Sequence, residues 1–263
     1  MKKFLMMLAA AGLAVSVQAA EITTGEAAAK KDGFTTALNA GLTLTDGNSE
    51  TLAANASLVT EGEKKGLGSL RAGVEGNYGE STAARTTTAA DGTTTSTDEN
   101  EKTVENAKLF ANVKKTLSPR TFASLDGSAL YDDIALVDYR AMLGPGLGAY
   151  LVKNDKRKLS LEAGPSYVWE KVDGISDDYL ALRFAERYTC QATKTAKLVQ
   201  AIEYVPEASD FDNYLLTAEI GVEASMNEHL TLRVVVQDKY DSTPAADAEY
   251  NDVSLIAGLG LTL

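Results

Sequence analysis

The stretch "LTLTDGNSETLAAN" (residues 42–55) alternates, turns once on Asp46-Gly47-Asn48, and alternates again. Alternation with a period of two is the strand signal, because successive side chains on an extended chain point to opposite faces. Gly and Asn accept the backbone angles of a tight hairpin turn. The segment therefore predicts a β-hairpin. Its first arm continues upstream, with Phe34, Thr36, Leu38, Ala40, Leu42 and Leu44 on one face and Thr35, Ala37, Asn39, Gly41, Thr43 and Thr45 on the other.

The pattern recurs to the end of the chain. Leu230, Leu232, Val234 and Val236 alternate with Thr231, Arg233, Val235 and Gln237. Val253, Leu255, Ala257, Leu259, Leu261 and Leu263 share a face in the last segment. The whole reading gives about twelve strands, near 33–45, 49–61, 66–80, 101–115, 119–132, 138–152, 157–171, 178–191, 195–206, 211–225, 229–240 and 250–263. Strands of soluble proteins average about 5–6 residues, whereas about 9–11 are needed to cross a bilayer at a tilt. The lengths predict an all-β fold, an antiparallel transmembrane β-barrel of about twelve strands. Closure follows from the solvent: unpaired backbone groups in lipid each cost several kcal/mol, and a closed sheet has no edge.

The connections add an orientation. Those at 63–65, 117–119, 153–156, 193–194 and 226–228 are short, and those at 81–100, 133–137, 172–177, 207–210 and 241–249 are longer. Short turns facing the periplasm and longer loops facing outside are the layout of an outer-membrane barrel. The longer connections carry or adjoin Asp91, Asp98, Asp132, Asp133, Asp173, Asp177, Asp178, Asp210 and Asp247; the short ones carry or adjoin Lys64, Lys65, Arg120, Lys153, Lys156, Arg157 and Lys194. Acidic outer loops are either solvated or share divalent cations with anionic lipid headgroups.

Ahead of the strands, Lys2 and Lys3 precede an apolar run from Phe4 to Val17 and the small-residue site Val17-Gln18-Ala19. That is the order of a secretory signal peptide. The expected organisation is a signal peptide over 1–19, a polar lead over 20–32 and a barrel over 33–263.

Composition narrows the function. With 37 Asp+Glu against 25 Lys+Arg, the net charge is −12, which argues against nucleic acid as a partner. The only cysteine is Cys190, so neither an internal disulfide nor a cysteine zinc site is expected. The only histidine, His229, follows a short turn, which removes an ordinary hydrolytic triad. Gly144-Pro145-Gly146-Leu147-Gly148 matches a phosphate loop in glycine count but lacks its lysine. The expectation is a protein without enzymatic activity or cofactor.

Two residue sets carry the positive expectations. Glu75, Arg140, Glu162, Arg183, Arg187, Glu219, Glu223, Arg233 and Lys239 alternate with apolar residues, so they are expected to face the lumen. Basic side chains on the lipid face would cost about 2–4 kcal/mol at the midplane. Charges of both signs leave two interiors open, one filled by pairing across the lumen and one lining a wet channel. Tyr78, Tyr131, Tyr139, Tyr167, Trp169, Tyr214 and Tyr240 lie near strand ends beside the longer connections, as an aromatic girdle would.

"YDDIALVDYRAMLGPGLGAYL" (131–151), with "LTLTDGNSET" (42–51) and "LEAGPSYVWEKV" (161–172), resembles the salt-induced outer-membrane protein family. The likeness runs from about residue 33 to the end of the chain. It implies a barrel and brings no catalytic or binding residues. Barrels of this kind commonly end in an aromatic residue, and this chain ends in Leu263.

The expected functions are thus a narrow channel or structural envelope protein, surrounded by outer-membrane lipid. A plugged barrel whose loops bind cations, surface lipid or a protein is the alternative, and a soluble exported barrel or sandwich is a third reading.

Overall fold

The computed structural model describes residues 33–45, 49–88, 91, 94–246 and 248–263. The expected signal peptide, the polar lead, the Asp46-Gly47-Asn48 turn and Asp247 lie outside them. Twelve strands follow in order: β1 (Gly33–Thr45), β2 (Ser49–Lys64), β3 (Gly68–Thr88), β4 (Thr94–Thr116), β5 (Thr121–Asp132), β6 (Val137–Lys153), β7 (Arg157–Val172), β8 (Ile175–Gln191), β9 (Ala196–Pro206), β10 (Tyr214–Ser225), β11 (Leu230–Asp241) and β12 (Asn251–Thr262). Each pairs antiparallel with its sequence neighbours, and β12 returns to β1 to close a barrel. The closing seam pairs Ala37 with Thr262 through Ala40 with Leu259. The Leu263 amide extends it by donating to the Thr36 carbonyl at 2.9 Å.

The wall is inverted relative to a soluble protein. Leu42, Leu109, Leu147 and Ile220 point outward, and Leu147 is 66 % exposed. Asn39, Asn55, Glu75, Asn106, Glu162 and Gln237 are buried inside, Gln237 at 0 %. An apolar belt encircling a closed barrel with a polar interior fits a lipid surround and no aqueous one. This is a transmembrane β-barrel.

One turn device recurs at the end of the barrel that holds the short connections. Ser118 Oγ accepts from the amides of Arg120 and Thr121. Asn154 Oδ1 accepts from Lys156 and Arg157. Thr193 Oγ1 accepts from Thr195 and Ala196, and Asn227 Oδ1 from His229 and Leu230. In each turn a short polar side chain stands in for a backbone acceptor two and three residues upstream, which holds the reversal without glycine. His229 is a turn residue here, as expected.

At the other end the expected lengths need correction. The segment 81–100 is largely strand: β3 runs to Thr88, and β4 starts at Thr94. Residues 172–177 form a two-residue hairpin on Asp173 and Gly174, both at positive φ (49° and 76°). The Asp-Gly pair suits such a turn. The contrast between turn and loop lengths is therefore smaller than the sequence suggested. At this rim it rests on residues 207–213 and 242–250.

Candidate functional site

The candidate site is the lumen, built by whichever residues alternate away from the belt. Glu75, Glu162, Glu219, Glu223 and Arg233 are buried on the inner face, and Arg140 and Arg183 are partly buried there. Arg187 and Lys239 share that face with them.

Arg183 on β8 is the hub. Its Nη1 lies 2.8 Å from Glu162 Oε1 on β7, and its Nη2 2.6 Å from Glu203 Oε2 on β9. Its Nε is 3.5 Å from Asp126 Oδ1 on β5, three strands away in the ring. The guanidinium fork presents several donors in one plane, so a single residue can serve three carboxylates. Glu162 also takes Lys114 Nζ at 3.2 Å and Ser124 Oγ at 2.7 Å, and Asp126 accepts from Asn112 Nδ2 at 2.8 Å.

A second bridge crosses nearer the Asp173-Gly174 end. Arg140 Nε on β6 is 2.5 Å from Glu170 Oε2, and its Nη2 is 2.9 Å from Asp241 Oδ2 on β11. Beside that level Val168, Ala181 and Val205 pack inside with Met142, Tyr179 and Leu215. At the opposite end Glu63 lies 3.8 Å from Lys153 and 3.9 Å from Lys158.

Glu219 and Glu223 belong to a different wall from Arg183. Glu223 lies 3.2 Å from Lys197 Nζ and 3.8 Å from Arg233 Nε, while Glu219 accepts from Gln237 Nε2 on β11. Ala53, Val199, Val235 and Ile256 form an apolar cluster inside the barrel. Between the walls, in the half of the barrel that holds the short turns, lies a cavity of about 170 Å³. Arg71, Lys108, Lys114, Arg183 and Arg187 line it against Glu61, Asp126, Glu162, Glu203 and Glu219.

Sequence reading missed Glu61, Arg71, Lys108, Lys114, Asp126, Glu170 and Glu203. The same alternation would have found Lys108 and Lys114, which flank Leu109, Ala111 and Val113. Two aromatic residues break the rule there, since Phe110 and Phe122 turn inward. Both meet cations: Arg71 stands over Phe110 at 4.3 Å, and Lys114 over Phe122 at 4.5 Å.

On the outer wall Tyr78, Tyr131, Tyr139 and Trp169 are exposed, and Tyr167, Tyr214 and Tyr240 are half-buried. The rings touch in series: Phe184 with Tyr204, Tyr204 with Tyr214, Tyr214 with Tyr240, and Tyr240 with Tyr250, at centroid separations of 6.3, 5.3, 5.5 and 6.3 Å. Phe184, Tyr204 and Tyr250 extend the expected set. The acidic rim is used internally. Asp133 lies 3.3 Å from Lys102 Nζ, and Asp178 accepts from the Tyr167 hydroxyl. Hydrogen bonds to Glu105 and then Asp133 hold the Lys102 ammonium charged to higher pH than usual. Among the described residues no three His, Cys, Asp or Glu side chains are grouped to hold a metal ion.

A family model described as "Protein of unknown function, DUF481" matches residues 38–263. The chain belongs to the DUF481 family. None of the curated proteins matches this DUF481 chain. Among solved structures it is similar to the NanC porin, at 10 % identity and a TM-score of 0.52, over 87 % of this chain and 100 % of that one. It is also similar to the KdgM porin, at 9 % identity and a TM-score of 0.46, over 88 % of this chain and 99 % of that one. The NanC likeness extends the barrel fold across nearly all the described residues of this DUF481 member.

Proposed function

We propose that the protein is an integral outer-membrane barrel whose lumen is a narrow conduit for small ions, constricted by ion pairs that cross it. One observation carries the reading. Charged side chains of both signs bridge strands that are not neighbours, at Arg183–Asp126 and Arg140–Asp241, and a cavity of about 170 Å³ with charged residues in its lining remains between the walls. Twelve strands enclose more room than the ~8-strand case that side chains just fill, and less than a general porin. The NanC and KdgM structures are porins by name, which agrees with this reading. The role is non-enzymatic, with His229 placed in the β10–β11 turn rather than in the charged lumen.

A filled structural barrel is the second reading. The apolar cluster of Val168, Ala181 and Val205 beside the Arg140 bridge favours it. Lipid surrounds the belt in both readings, and the rim carboxylates meet divalent cations at the headgroups. Induction by salt, implied by the family resemblance, belongs to the same proposal and is tested by protein abundance across a series of NaCl concentrations.

The placement is tested in cells. The protein should be recovered in the outer-membrane fraction with heat-modifiable gel migration. In a Cys190→Ser background, Asp177→Cys and Ala246→Cys should react with a membrane-impermeant thiol reagent on intact cells, and Lys65→Cys, Asn154→Cys and Asn227→Cys should not. Recovery in the soluble periplasm overturns the membrane reading, and the reverse labelling overturns the orientation.

A further inference from the structure

A carboxylate and an amide, Glu186 and Gln200, meet on the lipid side of the wall. On β8, Arg183, Ala185 and Arg187 face the lumen, so Phe184, Glu186 and Tyr188 face out. The Glu186 carboxylate accepts a hydrogen bond from Gln200 Nε2 on β9 at 3.4 Å. Gln200 also faces out, because its neighbour Val199 is buried inside and Ile202 is exposed. Apart from Tyr188 on β8, which is paired in register with Gln200, the surroundings are apolar. Glu186 is paired in register with Leu161 on β7 and Ile202 on β9, and Gln200 with Ile220 on β10. All three are exposed members of the belt.

The pair is also deep. β9 has 11 residues, and Gln200 is the fifth of them. A strand needs about 9–11 residues to cross the hydrocarbon, so Gln200 lies near the midplane and not among headgroups. Glu80 and Asp238 also face outward, but they stand beside the girdle residues Tyr78 and Tyr240, Glu80 as the acceptor of the Tyr78 hydroxyl.

Lipid tails supply neither donor nor acceptor. A carboxylate and an amide at this depth, joined by one long hydrogen bond, keep most of their hydrogen-bonding capacity unmet. Only another protein surface supplies partners there. The patch is complementary to itself: an acceptor and a donor lie side by side, so a two-fold axis between them sets each carboxylate against an amide of the other copy. We propose that Glu186 and Gln200 form the centre of an isologous dimer interface in the membrane, with Glu186 of each chain bonded to Gln200 of the other. The inference rests on the membrane-spanning reading and is independent of whether the lumen conducts.

The test uses the full barrel in phosphatidylethanolamine–phosphatidylglycerol liposomes. Lys194→Cys, in the exposed β8–β9 turn beneath the patch, carries donor or acceptor dyes in a Cys190→Ser background. Energy transfer should saturate with protein density and fall on adding unlabelled protein. The Glu186→Leu/Gln200→Leu double variant should weaken association about tenfold or more, the scale of one or two hydrogen bonds in a membrane. Glu186→Gln, which keeps an acceptor, should largely retain it. Heat-modifiable migration reports folding separately, and Gln200→Ala alone serves if the double variant does not fold. Absence of transfer in the parent protein overturns the proposal, as does undiminished transfer in the folded Leu or Ala variants. Cross-linking of the Lys194→Cys site in native membranes to a different protein alone would also overturn it.

Discussion

Arg140 Nη2 donates to Asp241 Oδ2 at 2.9 Å across the lumen, joining β6 to β11, which stand five strands apart in the ring. Neighbouring strands are already tied by their backbones. A side-chain bond between distant strands does something else, because it fixes the width of the barrel at one level. Arg140 also holds Glu170. Losing the cation leaves two carboxylates facing each other in a confined space, whereas losing Asp241 leaves the Arg140–Glu170 pair. Arg140→Ala is therefore expected to cost about 3–5 kcal/mol, the range for removing one partner of a buried pair, and Asp241→Asn less. Unfolding in detergent, followed by the heat-modifiable shift, checks the order.

Arg183 controls the charge of the cavity. Removing its guanidinium leaves Asp126, Glu162 and Glu203 with one cation fewer, Lys114 and Lys108 remaining in the same cavity. Arg183→Gln should shift the ion preference toward cations, read as a change in reversal potential under a KCl gradient. Arg183→Lys should fall between, because a point charge cannot serve three carboxylates as the planar fork does. An unchanged reversal potential in both would place Arg183 off the ion path.

Close approach of β6 and β7 sets a third expectation. A Cβ on Gly164 would meet the Pro145 carbonyl oxygen at 2.1 Å, which is backbone and unable to yield. Gly76, on the lipid side, has nothing within 4 Å. Gly164→Ala should lower the unfolding temperature and the folded yield, and Gly76→Ala should change neither. Equal behaviour of the two would deny that the prolines and glycines of this region are packing devices.

Much of the wall was legible because lipid enforces alternation. Where a strand crosses the belt, every second residue must be apolar, and the expected bounds of β1, β7 and β9 lie within one residue of those observed. Beyond the belt that constraint lapses. The Thr-rich arms of β3 and β4 show no alternation in sequence and read as loop. The Asp173-Gly174 hairpin was hidden by the acidic residues around it. Inside, parity placed Arg183, Glu162 and Glu219 on the lumen but did not say which residues pair. Strand stagger and closure decide which side chains lie across from each other, and no local pattern encodes them. Arg183 meets Glu162, Glu203 and Asp126, while Glu219 and Glu223 answer to Gln237, Lys197 and Arg233.

The central claim is that the lumen is a conduit narrowed by ion pairs and not a solid core. Planar-bilayer recording of purified wild type beside the Arg140→Ala/Asp241→Ala variant tests it most directly. Wild type should show a small unitary conductance, and the variant, with the cross-barrel bond removed, a clearly larger one. Silence from both, with each barrel shown to be folded and inserted, would contradict the conduit and leave the filled structural barrel in its place.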